Sequence, residues 1–233
     1  EHTVSLGLFQ ALAKKINRID KIKLVNIQHE FGIFGGQYGS YLNAFLEILE
    51  KPVVITFHSV LPTPDVQMIK TIQAIARRVN AIIVMNERGR KILREVYGVR
   101  TDIHVIYHGI PYTPFGSGEK EKKHLGYKDR LVLCSFGMIN PGKGYEYVID
   151  ALPHVIKQFP NVIYLVVGEP HPVVRGQEGE RYRKLLEQRV TRLGIENHVK
   201  FYNKYVALDE IIMYLRACDV YISSGLDPNQ ITS

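Results

Sequence analysis

The 233 residues are enough for one large or two ordinary domains. A content of 45% hydrophobic and 23% charged residues is typical of a folded globular protein and excludes an intrinsically disordered chain. Thirty Lys and Arg against 23 Asp and Glu leave a net charge of +7, which favours anionic partners. The basic residues do not form the arm or stripe of an electrostatic nucleic-acid binder, so we predict no nucleic-acid partner.

Cysteines and apolar segments indicate the compartment. Cys134 and Cys218 lie inside apolar patterns, which is typical of buried thiols in a reducing compartment and not of a disulfide framework or a zinc site. The sequence has no apolar run as long as a membrane span and no secretory signal at its start, so we predict a cytoplasmic protein. Because Glu1 stands where an initiator methionine would, and the sequence stops just after a predicted strand, we expect a fragment that lacks both ends.

Predicted strands and helices alternate through the first half of the sequence. A helix at 38–49 is well marked, because six apolar or aromatic residues recur there at helical spacing. The alternation is typical of a parallel, doubly wound sheet. Strands are predicted at 23–28, 53–57, 81–85 and 103–107, and helices at 3–19, 38–49, 66–79 and 88–97.

The second half repeats the same alternation after a stretch without apolar periodicity. We predict three segments: a first domain at 1–115, a linker at 116–129, and a second domain at 130–233. The predicted fold class is therefore α/β, with two Rossmann-like parallel-sheet domains that are both incomplete in this chain. Strands are predicted at 131–136, 162–167, 198–203 and 219–223, and helices at 148–159, 182–193 and 208–217.

The turn from Gly137 to Gly144 predicts a phosphate site. It contains three glycines, one proline and Lys143, and it joins a buried strand to a helix. A helix start offers unpaired N–H groups, glycines let a ligand approach the backbone, and a lysine adds a full positive charge. The alternative is that the glycines only turn the chain and Lys143 is solvated. A Walker loop is excluded, because GxxxxGK[ST] is absent.

Other catalytic patterns are missing. His29-Glu30 is followed at position 33 by Ile, so the second histidine of an HExxH zinc site is absent. There is no Asp-x-Asp pair, no Gly-x-Ser-x-Gly elbow and no complete dinucleotide fingerprint. We therefore predict no catalytic metal and no cofactor. A metal-free diphosphate site opposite the histidine-bearing loops of the first half suits group transfer from a nucleoside diphosphate.

Six segments together resemble the retaining glycosyltransferases of the GT-B fold, family 4, also called glycosyl transferases group 1. The resemblance implies transfer of a sugar from a nucleotide-diphosphate sugar to a saccharide or lipid-linked acceptor, with retention and without a catalytic metal. It makes 1–115 part of the acceptor-side domain and 130–233 part of the donor-side domain. The net charge of +7 would favour a place at the anionic inner face of a membrane. The segments are QHEFGIFGGQYGSYL, VVITFHSV, VIYHGIP, FGMINPGKGYEYVIDAL, YLVVGEPHP and VKFYNKYVALDEIIMYLRACDVYIS.

Matching motifs carry family roles to individual residues. Lys143 would grip the donor diphosphate, which Gly137 and Gly144 would let approach. His58 would lie near the reacting centre, although a strand-end polar residue without a role is the alternative. His29 and Glu30 are either acceptor contacts or loop structure, and Glu169 is either a ribose partner or a solvated carboxylate. The implied donor-binding residues also include Gly168, Glu169, Tyr205 and Val206, and the implied acceptor-side residues are His29, Glu30, Gly35 and Gly36.

Three departures from the family pattern keep other functions open. Met138 stands where many members have Arg, the Glu-x7-Glu element expected around 227–230 lacks its Glu, and the first strands of the amino-terminal domain are absent. We therefore expect this fragment alone to be inactive. A sugar-nucleotide epimerase and a non-catalytic nucleotide- or sugar-binding module of the same fold are the alternatives.

Overall fold

The computed structural model describes residues 6–114, 116–169, 180–204 and 206–225. Within these ranges the chain forms two compact units, one running to Ile110 and the other starting at Pro111. Each unit is built on its own four-stranded parallel sheet with helices. This confirms the predicted α/β class with two parallel-sheet domains.

In the first unit the strands lie in chain order, β1-β2-β3-β4. Their register places His29 at the end of β1 beside Phe57 at the end of β2. The carboxyl ends of all four strands therefore lie along one edge of the sheet. The elements are α1 Leu6–Asn17, β1 Val25–His29, α2 Leu42–Ile48, β2 Val53–Phe57, α3 Val66–Ala76, β3 Ala81–Val84, α4 Glu87–Glu95 and β4 Ile103–Val105.

Apolar faces and capping side chains account for these elements. Helix α3 buries Met68, Ile72 and Ile75 at helical spacing against the sheet. The side chain of Asp65 begins this helix by accepting a hydrogen bond from the Met68 N–H at 2.8 Å. Asn86 caps α4 in the same way at the end of β3, with the Gly89 N–H as donor.

Helix α2 begins later than the sequence predicts, at Leu42 instead of residue 38. The backbone of Gly35, Gly36, Tyr38 and Gly39 has positive φ, so these residues cannot continue a right-handed helix. The helical spacing of aromatic and apolar residues therefore continues into a segment that is a loop and not a helix.

In the second unit the first strand lies inside the sheet, whose order is β7-β6-β5-β8. The chain moves outward from β5 to β6 and β7, and then returns to place β8 on the other side of β5. This reversal makes a topological switch point between β5 and β8, where ligands bind in open parallel sheets. The elements are α5 Glu119–Leu125, β5 Leu131–Phe136, α6 Tyr145–Gln158, β6 Val162–Val167, α7 Arg181–Leu193, β7 Val199–Tyr202, α8 Leu208–Ala217 and β8 Val220–Tyr221.

The segment predicted as a linker, 116–129, contains helix α5, which packs on α8. Its one buried side chain is Lys122, whose ammonium lies 2.6 and 2.8 Å from the two carboxylate oxygens of Asp219. Asp219 also accepts a hydrogen bond from the Val132 N–H at 2.7 Å, at the start of β5. The segment is therefore part of the second unit, held by this ion pair and by the packing of Leu125 and Tyr127 on the core.

Both cysteines carry free thiols, Cys134 completely buried in β5 and Cys218 partly buried before β8. None of the helices in the described ranges is long and apolar enough to cross a membrane.

Candidate functional site

The carboxyl ends of the second sheet bring several predicted residues to one edge. Gly168 follows β6 directly and Gly137 follows β5 directly, while Lys204 and Ser224 lie shortly after β7 and β8. Because neighbouring parallel strands are about 4.8 Å apart, the loops after them meet along this edge. The edge includes the switch point between β5 and β8.

Gly137 and Gly168 form a pair whose backbones nearly touch, and we call them the glycine ledge. Their φ angles are +139° and +143°, which L side chains rarely adopt. A Cβ atom on Gly168 would lie 2.0 Å from the carbonyl oxygen of Gly137. Past the ledge, the Ile139 N–H donates to the Glu169 carbonyl at 2.8 Å. The result is a strip of backbone that a ligand can approach without meeting side chains.

Lys143 and Gly144 form the turn that starts helix α6 at the switch point. A short 3-10 helix, Pro141–Lys143, leads into Gly144, whose φ is +66°. A Cβ on Gly144 would lie 2.4 Å from the Ser224 carbonyl oxygen, and the Ser224 hydroxyl donates to the Lys143 carbonyl at 2.8 Å. The turn is therefore fixed to the chain that follows β8. The start of α6 has no side-chain cap in the described part of the chain, so its first N–H groups lack a side-chain acceptor there.

A pocket of about 100 Å³ lies on the edge beside the glycine ledge. It brings together four predicted donor residues, whereas Lys143 and Gly144 do not line it and Tyr205 lies outside the described residues. Ligand pockets generally measure roughly 300–1,000 Å³, so this one is smaller than a complete ligand pocket. Sequence analysis did not assign Lys204 to the site. The lining residues are Phe136, Gly137, Met138, Gly168, Glu169, Lys204, Val206 and Ile211.

His58 lies at the carboxyl edge of the first sheet, partly exposed, after β2. Its Nε2 atom is 2.7 Å from the side-chain oxygen of Gln28 in β1. Its ring stacks on His108, with 5.6 Å between ring centroids and 28° between planes. These contacts fix the orientation of the His58 ring.

His29 is placed differently from its predicted acceptor-side role. Its side chain has 0% exposure and is enclosed by Phe31, Phe34 and Phe57, with Phe34 stacked parallel to it. Neither ring nitrogen has a hydrogen-bond partner in the described residues. Burial, together with the nearby His58, lowers the pKa of His29 from 6.5 to about 4, so the ring is neutral at pH 7. A buried ring cannot contact an acceptor, and the geometry favours the alternative of loop structure.

Glu30 and the two predicted loop glycines are also engaged within the first unit. Both carboxylate oxygens of Glu30 accept from the Ser59 hydroxyl, at 2.9 Å each. A Cβ on Gly35 would lie 2.8 Å from the Tyr41 ring, and one on Gly36 would lie 2.4 Å from the Ser40 hydroxyl. The loop is therefore tightly wound.

The described residues contain no group of three or more His, Cys, Asp or Glu side chains arranged to hold a metal ion.

Two family models match the chain, one for each unit. Glycosyltransferase Family 4 matches residues 2–113, and Glycosyl transferases group 1 matches residues 117–226. The chain belongs to these glycosyltransferases. Its family membership agrees with the resemblance drawn from the six sequence segments.

Individual relatives are similar over part of their length. An uncharacterized glycosyltransferase of Methanocaldococcus jannaschii is 27% identical over 169 residues, covering 70% of this chain and 40% of that protein. The phosphatidyl-myo-inositol mannosyltransferase of Mycobacterium tuberculosis is 31% identical over 141 residues, covering 58% of this chain and 35% of that protein. The glycosyltransferase chain thus spans about two fifths or less of these relatives.

Solved structures share the fold. Anabaena Alr3699/HepE in complex with UDP superposes with a TM-score of 0.75 at 22% identity, covering 97% of this chain and 58% of that one. A glycosyltransferase from Rickettsia africae superposes with a TM-score of 0.68 at 17% identity, covering 96% of this chain and 56% of that one. At these identities the likeness shows the GT-B fold.

The burial of His29 predicts a loss of stability in mild acid. Between pH 6.5 and about pH 4 the unfolded chain binds a proton that the folded state does not, so stability falls as the pH falls through this window. The resulting loss in the free energy of unfolding across this window is roughly 3 kcal/mol. We expect His29→Leu to remove this part of the pH dependence of the urea midpoint. His104→Leu, which changes an exposed histidine in the neighbouring β4, should leave it in place. If the urea midpoints of both variants changed equally with pH, the pH dependence could not be attributed to His29.

The close approach at the glycine ledge predicts that one added methyl group will strongly lower the stability of the protein. Gly168→Ala would force a Cβ against the Gly137 carbonyl and place alanine at unfavourable φ, costing about 3 kcal/mol. The control is Gly194→Ala, because Gly194 also has positive φ but no atom near its Cβ position, and should cost about 1 kcal/mol. Urea unfolding followed by circular dichroism measures both. A smaller loss for Gly168→Ala than for Gly194→Ala would contradict the close approach.

Proposed function

We propose that this protein transfers a sugar from a nucleoside-diphosphate sugar to an acceptor. The observation that carries the proposal is the glycine ledge beside the Lys143 turn, at the switch point of the second sheet. A backbone strip free of side chains, a helix N-terminus and a lysine are what a diphosphate requires.

Each part of this edge takes a share of donor binding. The pyrophosphate lies on the glycine ledge, and the charge that develops on the leaving diphosphate is stabilised by Lys143 and the start of α6. Val206, in the apolar wall of the pocket, packs against the base. Glu169 accepts a hydrogen bond from the ribose.

The names of similar proteins support a nucleotide-sugar donor and suggest a class of acceptor. The Anabaena protein is solved with UDP and with UDP-glucose, so a uridine diphosphate sugar is the first donor to test. The Mycobacterium relative is named for mannosyl transfer to phosphatidyl-myo-inositol. We propose a saccharide or lipid-linked acceptor for this chain on the same grounds.

A membrane surface is the proposed place for a lipid-linked acceptor. Helix α1 exposes Leu8 and Leu12, spaced by one helical turn, and Lys14 and Lys15 follow on the same helix. Exposed leucines beside lysines are the pattern of helices that lie on anionic lipid. Co-sedimentation with phosphatidylglycerol vesicles, compared with neutral vesicles, tests this association.

A non-catalytic nucleotide-binding module is the second candidate. Met138 favours it, because an apolar side chain lines the pocket at a position where a cation would stabilise the leaving diphosphate. Binding of nucleotide by the full-length protein without any sugar transfer or hydrolysis would favour the module, and an epimerised sugar nucleotide would identify an epimerase.

Removal of Lys143 should weaken nucleotide binding. A hydrogen bond to a charged group contributes about 1.5–3 kcal/mol, so we expect Lys143→Ala to raise the Kd for UDP or GDP about tenfold or more. Lys157→Ala changes an exposed lysine near the other end of α6 and should leave the Kd unchanged. Calorimetric titration of the natural full-length protein with UDP, GDP and ADP provides the measurement. Equal Kd values for the two variants would refute the role of Lys143.

The proposed chemistry is retaining, independent of metal and dependent on His58. We expect the product to keep the anomeric configuration of the donor by proton NMR, and the rate to persist in EDTA. His58→Ala should lower kcat far more than it raises the Kd for UDP, because it removes a group at the transferred sugar and not at the nucleotide. An inverted product, or full activity of His58→Ala, would contradict this mechanism.

A further inference from the structure

Lys204 is the one basic side chain among the described residues that line the pocket beside the glycine ledge. It follows β7, and its ammonium lies 2.5 Å from a carboxylate oxygen of Glu210 near the start of α8. The same ammonium lies 5.9 Å from the centroid of the Tyr214 ring, whose side chain is buried. A lysine at a nucleotide pocket is thus held in place by a carboxylate and an aromatic ring.

The pair is exposed enough for its partners to exchange. The side chains of Lys204 and Glu210 are 45% and 39% exposed, and ion pairs at such exposure contribute little to stability. Tyr214 keeps the ammonium near the pocket through a cation–π contact that does not depend on Glu210. A stronger anion can therefore replace Glu210 without a large loss of stability.

Strand order places Lys204 and Lys143 on opposite sides of the glycine ledge. Lys204 follows β7, two strands from β5, whereas the Lys143 turn is bonded to Ser224 after β8. Two strand spacings correspond to about 10 Å, and a lysine side chain spans much of that distance. An anion on the glycine ledge therefore has Lys204 on one side and the Lys143 turn on the other.

We infer that Lys204 binds the phosphate charge of the nucleoside diphosphate, and that Glu210 holds its ammonium until the nucleotide arrives. This inference rests on the proposed function, because it assigns a further residue to the same donor site. Met138, on the same pocket wall, has no charge to offer. Lys204 supplies the cation that the Met138 position lacks, and Glu210 competes with the phosphate for it.

Comparison of ligands with different phosphate charge tests the assignment. In the natural full-length protein we expect Lys204→Ala to raise the Kd for UDP about tenfold and to leave the Kd for uridine unchanged. Lys204→Arg should keep most of the wild-type affinity for UDP. High salt should reduce the difference in Kd for UDP between the wild type and Lys204→Ala, because salt screens the attraction between the ammonium and the phosphate. The control is Lys200→Ala, an exposed lysine in β7 that does not line the pocket.

Glu210→Gln tests whether the Glu210 carboxylate competes with the phosphate for Lys204. It frees the ammonium, so we expect tighter UDP binding than in the wild type, and no such gain when Lys204→Ala is also present. Equal losses for UDP and uridine would show that Lys204 reads the base, and an unchanged Kd for UDP would show that it does not bind nucleotide; either result overturns the inference. If Lys143→Ala still weakens UDP binding in that case, the proposed function stands. If the wild type binds no nucleoside diphosphate, both fail.

Discussion

The carboxyl edge of the second sheet depends on the close approach of two backbones at Gly137 and Gly168. The strands β5 and β6 pair in register to their last residues, and the chain then turns at both glycines with φ near +140°. Only hydrogen side chains allow a carbonyl to lie this close to the neighbouring Cα. The same absence of side chains that permits the approach leaves the strip of backbone where a diphosphate can lie. The two glycines therefore account both for the close packing at this edge and for its exposed backbone.

The first unit forms its edge in a different way. Its residues after the strands carry side chains that bond to each other: Gln28 orients His58, and Ser59 bonds to Glu30. His29 has turned inward, where three phenylalanines replace water around it, and a neutral ring is the form that this environment allows. Of the two histidines at the carboxyl ends of β1 and β2, only His58 is exposed to solvent.

Sequence alone predicted the elements that are buried on both faces. The bounds of β5 and β6 are those predicted, because a strand between two layers of helices is a continuous apolar run. Helix α5 was missed, because its only buried side chain is Lys122 and an ion pair leaves no apolar periodicity. Residues 203–205 follow a predicted strand and were therefore expected at the ligand edge, but Lys204 received no role because no motif matched it.

Several cations of the second unit are paired with carboxylates of the same unit. Arg183 pairs with Glu187, Arg189 with Asp150, and Lys122 with Asp219, so these cations fix helices. Lys143 has no ion-pair partner among the described residues and stands at the start of α6, whose first turn also carries Glu146. A carboxylate is favourable at a positive helix end, and Glu146 also accepts a hydrogen bond from the Tyr182 hydroxyl. The chain therefore supplies one negative charge at this helix start, and an anion beside Lys143 would add a second.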